Sequence, residues 1–333
     1  MESDLCKGIE HVACNLCSSP DSTLLFQAEV QPYQVNIFAA NSWNYLKCSN
    51  CGLVYENPRP DKIALAEYYS FNSKEDQQYV EDWFVENSDL HKKTWNRYLR
   101  IVKKYVKNGF LLDIGCGAGT FLEEAIQNGF ECVGQEVSKY YKYIHSQKKL
   151  SVHYKEIYDL PYKENSFKVI SIFDVIEHYP DPNLLIKYIH KSLEPSGFLV
   201  LTTHDIGNIF AKFYKAKWRH IYPIGHLTFF TKETITRIIK DNGFQLVYFS
   251  GVHTADTNWL LELKNYFVQF VKLIFLRAII IFIYSPLSTK FKFLQKWEFS
   301  FKGKKISHKK LIMRASNQII MNDSFICIAK KLA

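Results

Sequence analysis

The stretch LLDIGCGAGTFLEEAIQNGF, residues 111–130, joins an apolar run to a glycine-rich turn and a helical pattern. The apolar run predicts a buried strand. Gly115, Gly117 and Gly119 let the chain turn sharply, so that a ligand can approach backbone N–H groups at the start of the next helix. Thr120 stands where the dinucleotide fingerprint has its third glycine, and the Gly-Lys-Ser or Gly-Lys-Thr of a P-loop is missing from this stretch. Phosphate-bearing ligands are therefore disfavoured.

Two acidic residues lie next to this turn in the predicted fold. Asp113 precedes the first glycine by two residues, and Glu136 follows Asp113 by twenty-three residues, at the end of the second apolar run. A carboxylate near a ligand repels phosphates but attracts an ammonium or sulfonium group. An acid at the position of Glu136 can accept both hydroxyls of an adenosine ribose. The pair fits S-adenosylmethionine, which carries both cationic groups.

From residue 110 onward, short apolar runs alternate with helical stretches. This alternation predicts an α/β fold with a doubly wound, Rossmann-like sheet whose ligand lies at the carboxyl ends of the strands. One helix is predicted to begin at Asp181 and Pro182. The predicted strands are FLLDIG, ECVGQE, SVHYKE, FKVISIF, GFLVLTT, FQLVYFS and, near the C-terminus, SFICIAK.

Four of the eight cysteines form two Cys-x-x-Cys pairs, Cys14 with Cys17 and Cys48 with Cys51, thirty residues apart. Two such turns can aim four thiolates at one tetrahedral ion, which predicts a structural zinc site in a ribbon-like N-terminal domain. Four thiol ligands leave no open position for water, so the ion would stabilise a fold and not catalyse. Iron in place of zinc stays open, and disulfides are disfavoured in a reducing cytoplasm.

The formal charge of +9 is concentrated in one segment. Residues 264–314 hold twelve Lys or Arg against the single acid Glu298, so they carry +11 and the rest of the chain about −2. A basic excess beside an apolar run favours an anionic membrane surface over a nucleic-acid partner, although a solvated helical face explains it equally well. The N-terminus lacks the pattern of a secretory signal, so we expect a cytoplasmic protein, with the inner membrane face as a further option.

Residues 266–287 form a long apolar stretch that Gln269, Lys272 and Arg277 interrupt. These polar residues make a single membrane span improbable. An interfacial helix, with residues 290–314 reaching lipid head groups, fits the pattern, and so does a buried lid helix or a dimer face.

In several motifs the chain resembles class I S-adenosylmethionine-dependent methyltransferases. LLDIGCGAGTFL is similar to their first motif and GQEVS to their acidic ribose motif. DLPYKENSFKVI with FDVIEHYPDP, EPSGFLVLTTHD and GHLTFFTKETITRIIKDNGF resemble later segments. The leader CNLC…CSNCGLVYENPRP resembles the zinc-binding leader of a bacterial subgroup that includes sugar-modifying methyltransferases. Deoxysugar C-methyltransferases of that subgroup carry a large further domain, whereas about eighty residues follow Gly251 here, so the substrate need not be theirs.

The resemblance implies a seven-stranded methyltransferase sheet and a set of site residues. Those implied for the cofactor are Asp113, Gly115, Cys116, Gly117, Gly119, Glu136, Phe173 and Asp174. Methyl transfer depends mostly on alignment, with a base where the acceptor must lose a proton. The candidate bases are His226, the first choice, and His178, and either could instead be structural. Tyr179, Trp218 and Tyr222 are candidate acceptor contacts or packing residues, because flat aromatic faces suit sugars and planar rings.

The predicted domain organisation has five parts. They are a zinc-ribbon-like domain (1–60), a helical linker or cap (61–108), the S-adenosylmethionine-binding core (109–250), a helical, basic and apolar insertion (251–318) and a final core strand (319–333).

Three functions remain open at the level of the sequence. The first is methyl transfer to a saccharide or lipid-linked glycan intermediate. The second is methyl transfer to a small aromatic or quinone-like acceptor. The third is an inactive methyltransferase fold whose zinc ribbon binds RNA or protein, although the sequence gives no expectation of a nucleic-acid partner.

Overall fold

The computed structural model describes residues 8–30, 42–69, 88–252, 300–301, 304–305 and 323–332. The chain divides into two compact units. One consists of Met1–His253 with Asn322–Ala333, and the other of Thr254–Met321. In the second unit the described residues form one short antiparallel pair of strands, Ser300–Phe301 with Lys304–Lys305.

Strands and helices alternate along most of the first unit. The described strands are β1 (Ile9–Glu10), β2 (Ser22–Glu29), β3 (Ser42–Cys48), β4 (Val54–Glu56), β5 (Arg59–Pro60), β6 (Gly109–Ile114), β7 (Phe130–Gln135), β8 (Val152–His153), β9 (Phe167–Phe173), β10 (Leu193–His204), β11 (Thr228–Phe229), β12 (Phe244–Val252) and β13 (Ser324–Lys331). The described α-helices are α1 (Lys62–Tyr68), α2 (Ser88–Val102), α3 (Thr120–Gln127), α4 (Lys142–Gln147), α5 (Pro182–Ser192), α6 (Ile209–Tyr214) and α7 (Lys232–Asp241).

The central sheet has the strand order β12-β13-β10-β9-β6-β7-β8 among the described residues. Strands β8, β7, β6, β9 and β10 run parallel, whereas β13 is antiparallel to both β10 and β12. The predicted α/β, Rossmann-like fold is confirmed, with a mixed sheet in place of a purely parallel one. The strand predicted near the C-terminus is the inserted antiparallel strand.

Both faces of this sheet are buried, as its continuous apolar strands require. Leu111 pairs with Val169 across β6 and β9, and both side chains belong to one core cluster. Their neighbours Leu112 and Ile170 also pair, and both belong to a second cluster. Because successive side chains of a strand point to opposite faces, the two clusters lie on opposite sides of the sheet.

The helix predicted at Asp181 begins as its sequence indicates. The Asp181 carboxylate accepts a hydrogen bond from the Leu184 backbone N–H at 2.9 Å, and Pro182 is the first helical residue. An N-terminal side-chain cap of this kind satisfies a backbone donor that the helix itself cannot. The helix ends at Ser192, and β10 begins at the next residue.

A second sheet joins the N-terminal residues to the core. Its order is β11-β4-β3-β2, and every pairing in it is antiparallel. Thr228 pairs with Tyr55 and Phe229 with Val54, so a strand from the core segment completes the N-terminal sheet. Tyr45, Val54 and Phe229 share one buried cluster beneath it.

The predicted domain boundaries stay a prediction. The predicted insertion 251–318, its apolar stretch 266–287 and the basic segment 290–314 lie almost entirely outside the described residues. Within the described residues, no helix is both long and apolar enough to cross a membrane.

Candidate active site

The glycine-rich turn follows β6 and leads into α3. Gly115, Gly117 and Gly119 have φ values of 66°, 50° and 74°, in the left-handed region that favours glycine. A Cβ on Gly119 would lie 2.3 Å from Cδ1 of Leu150, and one on Gly115 would lie 2.6 Å from Cγ2 of Val175. The turn therefore requires glycine both for its backbone conformation and for its close packing.

Asp113 is buried at the end of β6, with 3% of its surface exposed. Its Oδ1 accepts a hydrogen bond from the Ser171 hydroxyl at 2.6 Å. Burial raises the pKa of Asp113 to about 7, and Glu136 adds to this, while the Ser171 hydrogen bond works in the opposite direction. A buried carboxylate with a raised pKa is stabilised in its ionised form by a ligand that brings positive charge.

Glu136 follows β7 directly and faces the same turn. Its Oε2 accepts a hydrogen bond from the Gly117 backbone N–H at 2.9 Å. Its Oε1 accepts from the backbone N–H groups of Val137 and Ser138 at 2.8 and 2.9 Å. Burial raises the pKa of Glu136, and these three N–H donors act to lower it. These hydrogen bonds orient the Glu136 carboxylate at the turn. Its negative charge and its acceptor oxygens suit a cationic ligand that carries hydroxyl groups.

Three residues that the sequence analysis did not select also hold the turn. The side-chain amide of Gln135 accepts from the Gly115 N–H at 3.2 Å and donates to the Lys155 carbonyl at 2.7 Å. His145 Nε2 lies 2.7 Å from the Gly117 carbonyl and Nδ1 lies 2.7 Å from the Tyr154 hydroxyl. Because a carbonyl only accepts, Nε2 carries the proton and Nδ1 accepts from Tyr154.

The other predicted cofactor residues are Cys116 in the turn, Phe173 at the end of β9 and Asp174 directly after it. Cys116 is buried, and burial raises the pKa of its thiol well above the ordinary value. The Phe173 ring packs 4.6 Å from that of Phe121. Asp174 accepts a hydrogen bond from the Thr202 hydroxyl at 2.9 Å. Direct contact of these residues with a cofactor stays a prediction.

The two histidines predicted as bases are brought together. The His178 and His226 rings are 4.7 Å apart, in an edge-to-face arrangement. His178 Nδ1 lies 2.8 Å from the Gly225 carbonyl, and His226 Nδ1 lies 2.7 Å from the His220 carbonyl. Because a carbonyl only accepts, His226 Nδ1 donates, which leaves a lone pair on His226 Nε2. His178 Nδ1 also lies 2.9 Å from the Tyr69 hydroxyl.

A buried polar cluster adjoins these histidines, and the sequence analysis did not assign it. Glu177 is fully buried, and its Oε2 accepts from the Thr203 hydroxyl at 2.9 Å. The His204 ring stacks on His220 at 3.8 Å. His220 Nε2 in turn lies 2.9 Å from a carboxylate oxygen of Asp323. The motifs FDVIEHYPDP and LTTHD contain Glu177 and His204, but nothing in the sequence shows that they meet.

The predicted acceptor contacts fall into different environments. Tyr222 is half-buried, and its ring centroid lies 5.8 Å from that of His226. Tyr179 is half-buried and packs on the main core cluster. Trp218 is only 2% exposed and packs against Phe229, behind the histidines. Tyr222 is thus the member of the set that lies beside a candidate base.

The four paired cysteines converge, as predicted. The Sγ atoms of Cys14 and Cys51 are 3.4 Å apart, those of Cys17 and Cys48 are 3.5 Å apart, and all four lie within 4.8 Å of one another. These separations exceed a disulfide bond, at about 2.05 Å, and approach the edge of a zinc–sulfur tetrahedron, at about 3.8 Å.

The thiols differ in acidity. Burial raises the pKa of Cys51 to about 11. Burial acts in the same direction on Cys48, but hydrogen bonds from the backbone N–H groups of Cys51 and Asn50 and from neighbouring thiols lower its pKa to about 7. N–H donors of this kind stabilise a thiolate, which is the form that ligates a metal.

Comparison with known proteins gives one family match and several relatives. A family model described as a methyltransferase domain matches residues 87–248. A ubiquinone biosynthesis O-methyltransferase of Pelagibacter ubique is 28% identical over 190 residues, which cover 52% of this chain and 79% of the relative. Its counterpart from Coxiella burnetii is 25% identical over 194 residues, covering 50% of this chain and 82% of the relative. The crystal structure of an S-adenosylmethionine-dependent methyltransferase from Archaeoglobus fulgidus covers 72% of this chain and 94% of its own, with 16% identity and a TM-score of 0.47.

Proposed function

We propose that this chain, whose residues 87–248 match a methyltransferase-domain family model, transfers a methyl group from S-adenosylmethionine to a hydroxyl oxygen of a small aromatic or quinone-like molecule. The observation that carries the proposal is that the His226 ring lies beside both His178 and Tyr222, while the segment carrying His178 reaches the glycine-rich turn where Val175 packs beside Gly115. The names of the relatives support an acceptor of this class. A saccharide acceptor, the first expectation from the sequence, has no support among those names.

The cofactor side of the site suits S-adenosylmethionine. When bound, this molecule supplies an electrophilic methyl group whose bond to sulfur breaks with the electron pair remaining on sulfur, so a hydroxyl acceptor must lose its proton to a base. Asp113 and Glu136 place two buried carboxylates beside the glycine turn. Their charge favours a cationic ligand, and the remaining lone pair of Glu136 Oε2 can accept a ribose hydroxyl.

The proposed acceptor site is lined by aromatic side chains. Tyr68 and Tyr222 lie 6.5 Å apart, and Tyr69 donates a hydrogen bond to the Gly225 carbonyl at 2.9 Å, beside His178. Aromatic faces of this kind stack on planar acceptors. We assign the hydroxyl proton to the His178 imidazole, which is the role predicted for it from the sequence.

The cysteine cluster is proposed to hold a structural zinc ion. Four thiols at tetrahedral separations match the ligand set of closed zinc sites. The ion would fix the turns at Cys14–Cys17 and Cys48–Cys51 and so hold the N-terminal sheet in shape.

A labelling assay tests the acceptor class. The full chain would be incubated with methyl-labelled S-adenosylmethionine and either dihydroxybenzenes, with and without an apolar tail, or lipid-linked saccharides. We expect O-methylated aromatic products, identified by mass spectrometry. Labelled saccharide without labelled aromatic product would restore the saccharide acceptor. Cofactor binding without transfer to either class would favour the inactive scaffold.

Cofactor affinity is expected to depend on pH through Asp113. Burial raises its pKa to about 7, so at pH 6 the carboxyl is mostly protonated and at pH 8 mostly ionised. Because a cationic ligand prefers the ionised form, S-adenosylmethionine should bind about tenfold more tightly at pH 8 than at pH 6. Calorimetric titration at several pH values measures this.

A pair of serine variants provides the control. Ser171→Ala removes the hydrogen bond that lowers the pKa of Asp113, so the affinity should reach its plateau at a higher pH. Ser166→Ala removes the hydroxyl of a half-buried serine that donates to the Lys163 carbonyl, and it should leave the profile unchanged. A dissociation constant that is constant between pH 6 and pH 8 contradicts the role of Asp113.

A further inference from the structure

We propose that Glu177, His204 and His226 bind one divalent metal ion, separate from the cysteine site. Each of the three residues offers one ligand atom, and these atoms all lie within 4.8 Å of one another. The residues come from three segments: the short helical turn after β9, the end of β10, and the loop before β11. The fold therefore assembles the set from distant parts of the chain.

The ligand atoms carry lone pairs that face one another. His226 Nδ1 donates to the His220 carbonyl, so His226 Nε2 has a lone pair. His204 Nδ1 contacts the Ser324 hydroxyl at 3.0 Å, and when Nδ1 donates to that hydroxyl, the lone pair of Nε2 is directed at Glu177. Glu177 Oε1 is buried and has no hydrogen-bond partner among the described residues. Three acceptor atoms that converge in a buried place need a cation or a proton between them.

The separation between His204 and Glu177 fits an ion. His204 Nε2 lies 3.3 Å from Glu177 Oε1, longer than the usual N–H···O hydrogen bond. Zinc holds imidazole nitrogen and carboxylate oxygen at about 2.0–2.2 Å, so two corners of a tetrahedron around it are separated by about 3.4 Å. The two atoms thus stand at the distance that a shared ion requires.

In each proposed ligand, the polar atom that does not bind the ion makes a hydrogen bond to another group, as is general for metal ligands. Glu177 Oε2 accepts from the Thr203 hydroxyl at 2.9 Å, while His204 and His226 use Nδ1 for Ser324 and for the His220 carbonyl. The ligand atoms stay free while the side chains are fixed. This geometry orients all three groups without using the atoms that would bind the ion.

Two imidazoles and one carboxylate favour zinc or a neighbouring transition metal over calcium or magnesium, which prefer oxygen ligands. Three protein ligands leave a further coordination position. His226 is the partly exposed member of the set and lies beside Tyr222, so that position faces the proposed acceptor site.

An acceptor hydroxyl bound at the open position would become more acidic. This part of the inference rests on the proposed function. It also assigns His226 to the ion and leaves His178 as the candidate base.

Metal analysis of the purified full chain tests the site without any turnover. Samples of wild type, Glu177→Gln and His226→Gln, loaded with zinc and freed of excess metal, would be measured by elemental mass spectrometry. His153→Gln, a half-buried histidine outside the cluster, is the matched control. We expect both cluster variants to lose about one metal equivalent per chain and the control to lose none. Equal metal content in all four proteins overturns the proposal and leaves a proton shared between Glu177 and His204.

Cobalt substitution distinguishes the two sites and guards against variants that fold poorly. Thiolate ligands give cobalt an intense charge-transfer band in the near ultraviolet, whereas a site of nitrogen and oxygen ligands gives only weak visible bands. In Glu177→Gln the thiolate band should persist while the visible contribution of the second site disappears. Loss of both signals together would show general unfolding, and His226→Gln then decides on the same spectra. If the wild-type protein methylates the aromatic acceptor but holds no ion at Glu177, His204 and His226, this inference fails and the proposed function stands. If the wild-type protein holds that ion but does not methylate the aromatic acceptor, the proposed function fails and the metal site stands.

Discussion

Replacing Asp113 with alanine is expected to weaken S-adenosylmethionine binding by about 100-fold or more while the protein stays folded. Hydrogen bonds to charged groups contribute about 1.5–3 kcal/mol each, and Asp113 adds the attraction between its charge and a cationic ligand. Calorimetric titration near pH 8, where the carboxylate is ionised, gives the largest difference. Glu131→Ala removes an exposed acid from the neighbouring strand and should leave the affinity unchanged.

The same substitution should not destabilise the protein without its ligand. Burial raises the pKa of Asp113 to about 7, so the folded state disfavours the ionised form. The cost is present above that pKa and disappears as the pH falls and the carboxyl protonates. At pH 8 the melting temperature of Asp113→Ala should therefore equal or exceed that of the wild type, since the Ser171 hydroxyl can still donate to the Leu112 carbonyl. Normal cofactor affinity, or a clearly lower melting temperature, contradicts this account.

Loss of the cysteine-bound ion is expected to have the second large effect, on stability and on transfer together. Structural zinc contributes about 10–16 kcal/mol in zinc-finger peptides, comparable with the whole folding free energy of an ordinary domain, about 5–15 kcal/mol. We expect Cys51→Ser to lower the melting temperature markedly. Cys132→Ser, which alters a half-buried thiol outside the set, serves as the control.

The effect should reach the acceptor site through two contacts. The Tyr45 hydroxyl donates to the His226 carbonyl at 3.0 Å, and Glu56 Oε2 accepts from the Ile224 N–H at 3.0 Å. Both partners lie in the loop that carries His226. In Cys51→Ser we expect at least about a tenfold fall in kcat/KM, with cofactor affinity little changed, because the turn beside Asp113 lies on other elements. A variant with normal stability and normal transfer would show that the cysteines hold no structural ion.

Local patterns in the sequence predicted much of the fold. Apolar runs located the strands of the central sheet, and Asp181 with Pro182 located the start of a helix, because both signals depend on neighbours in the chain. The spacing of the cysteine pairs predicted that the four thiols lie together, since each Cys-x-x-Cys turn places two thiols side by side. Structural features that depend on a few adjacent residues could therefore be predicted from the sequence.

The rest depends on contacts between distant segments. Glu177, His204 and His226 stand in three separate motifs. Only the packing of the turn after β9, the end of β10 and the loop before β11 brings them together. Trp218 looked like an acceptor contact because of its residue type, but burial among Phe229 and the histidines places it behind the site. A single sequence carries no signal for either arrangement, because no local period relates these positions.

The pairing of β4 with β11 also sets an order of events during synthesis. A chain that leaves the ribosome N-terminus first presents β2, β3 and β4 long before residues 228–229 exist. Until then one side of β4 has unpaired backbone groups, the kind of strand edge that recruits other chains. This edge of β4 stays unpaired until residues 228–229 emerge. A fragment that stops before residue 228 has no means of closing it and should associate with itself.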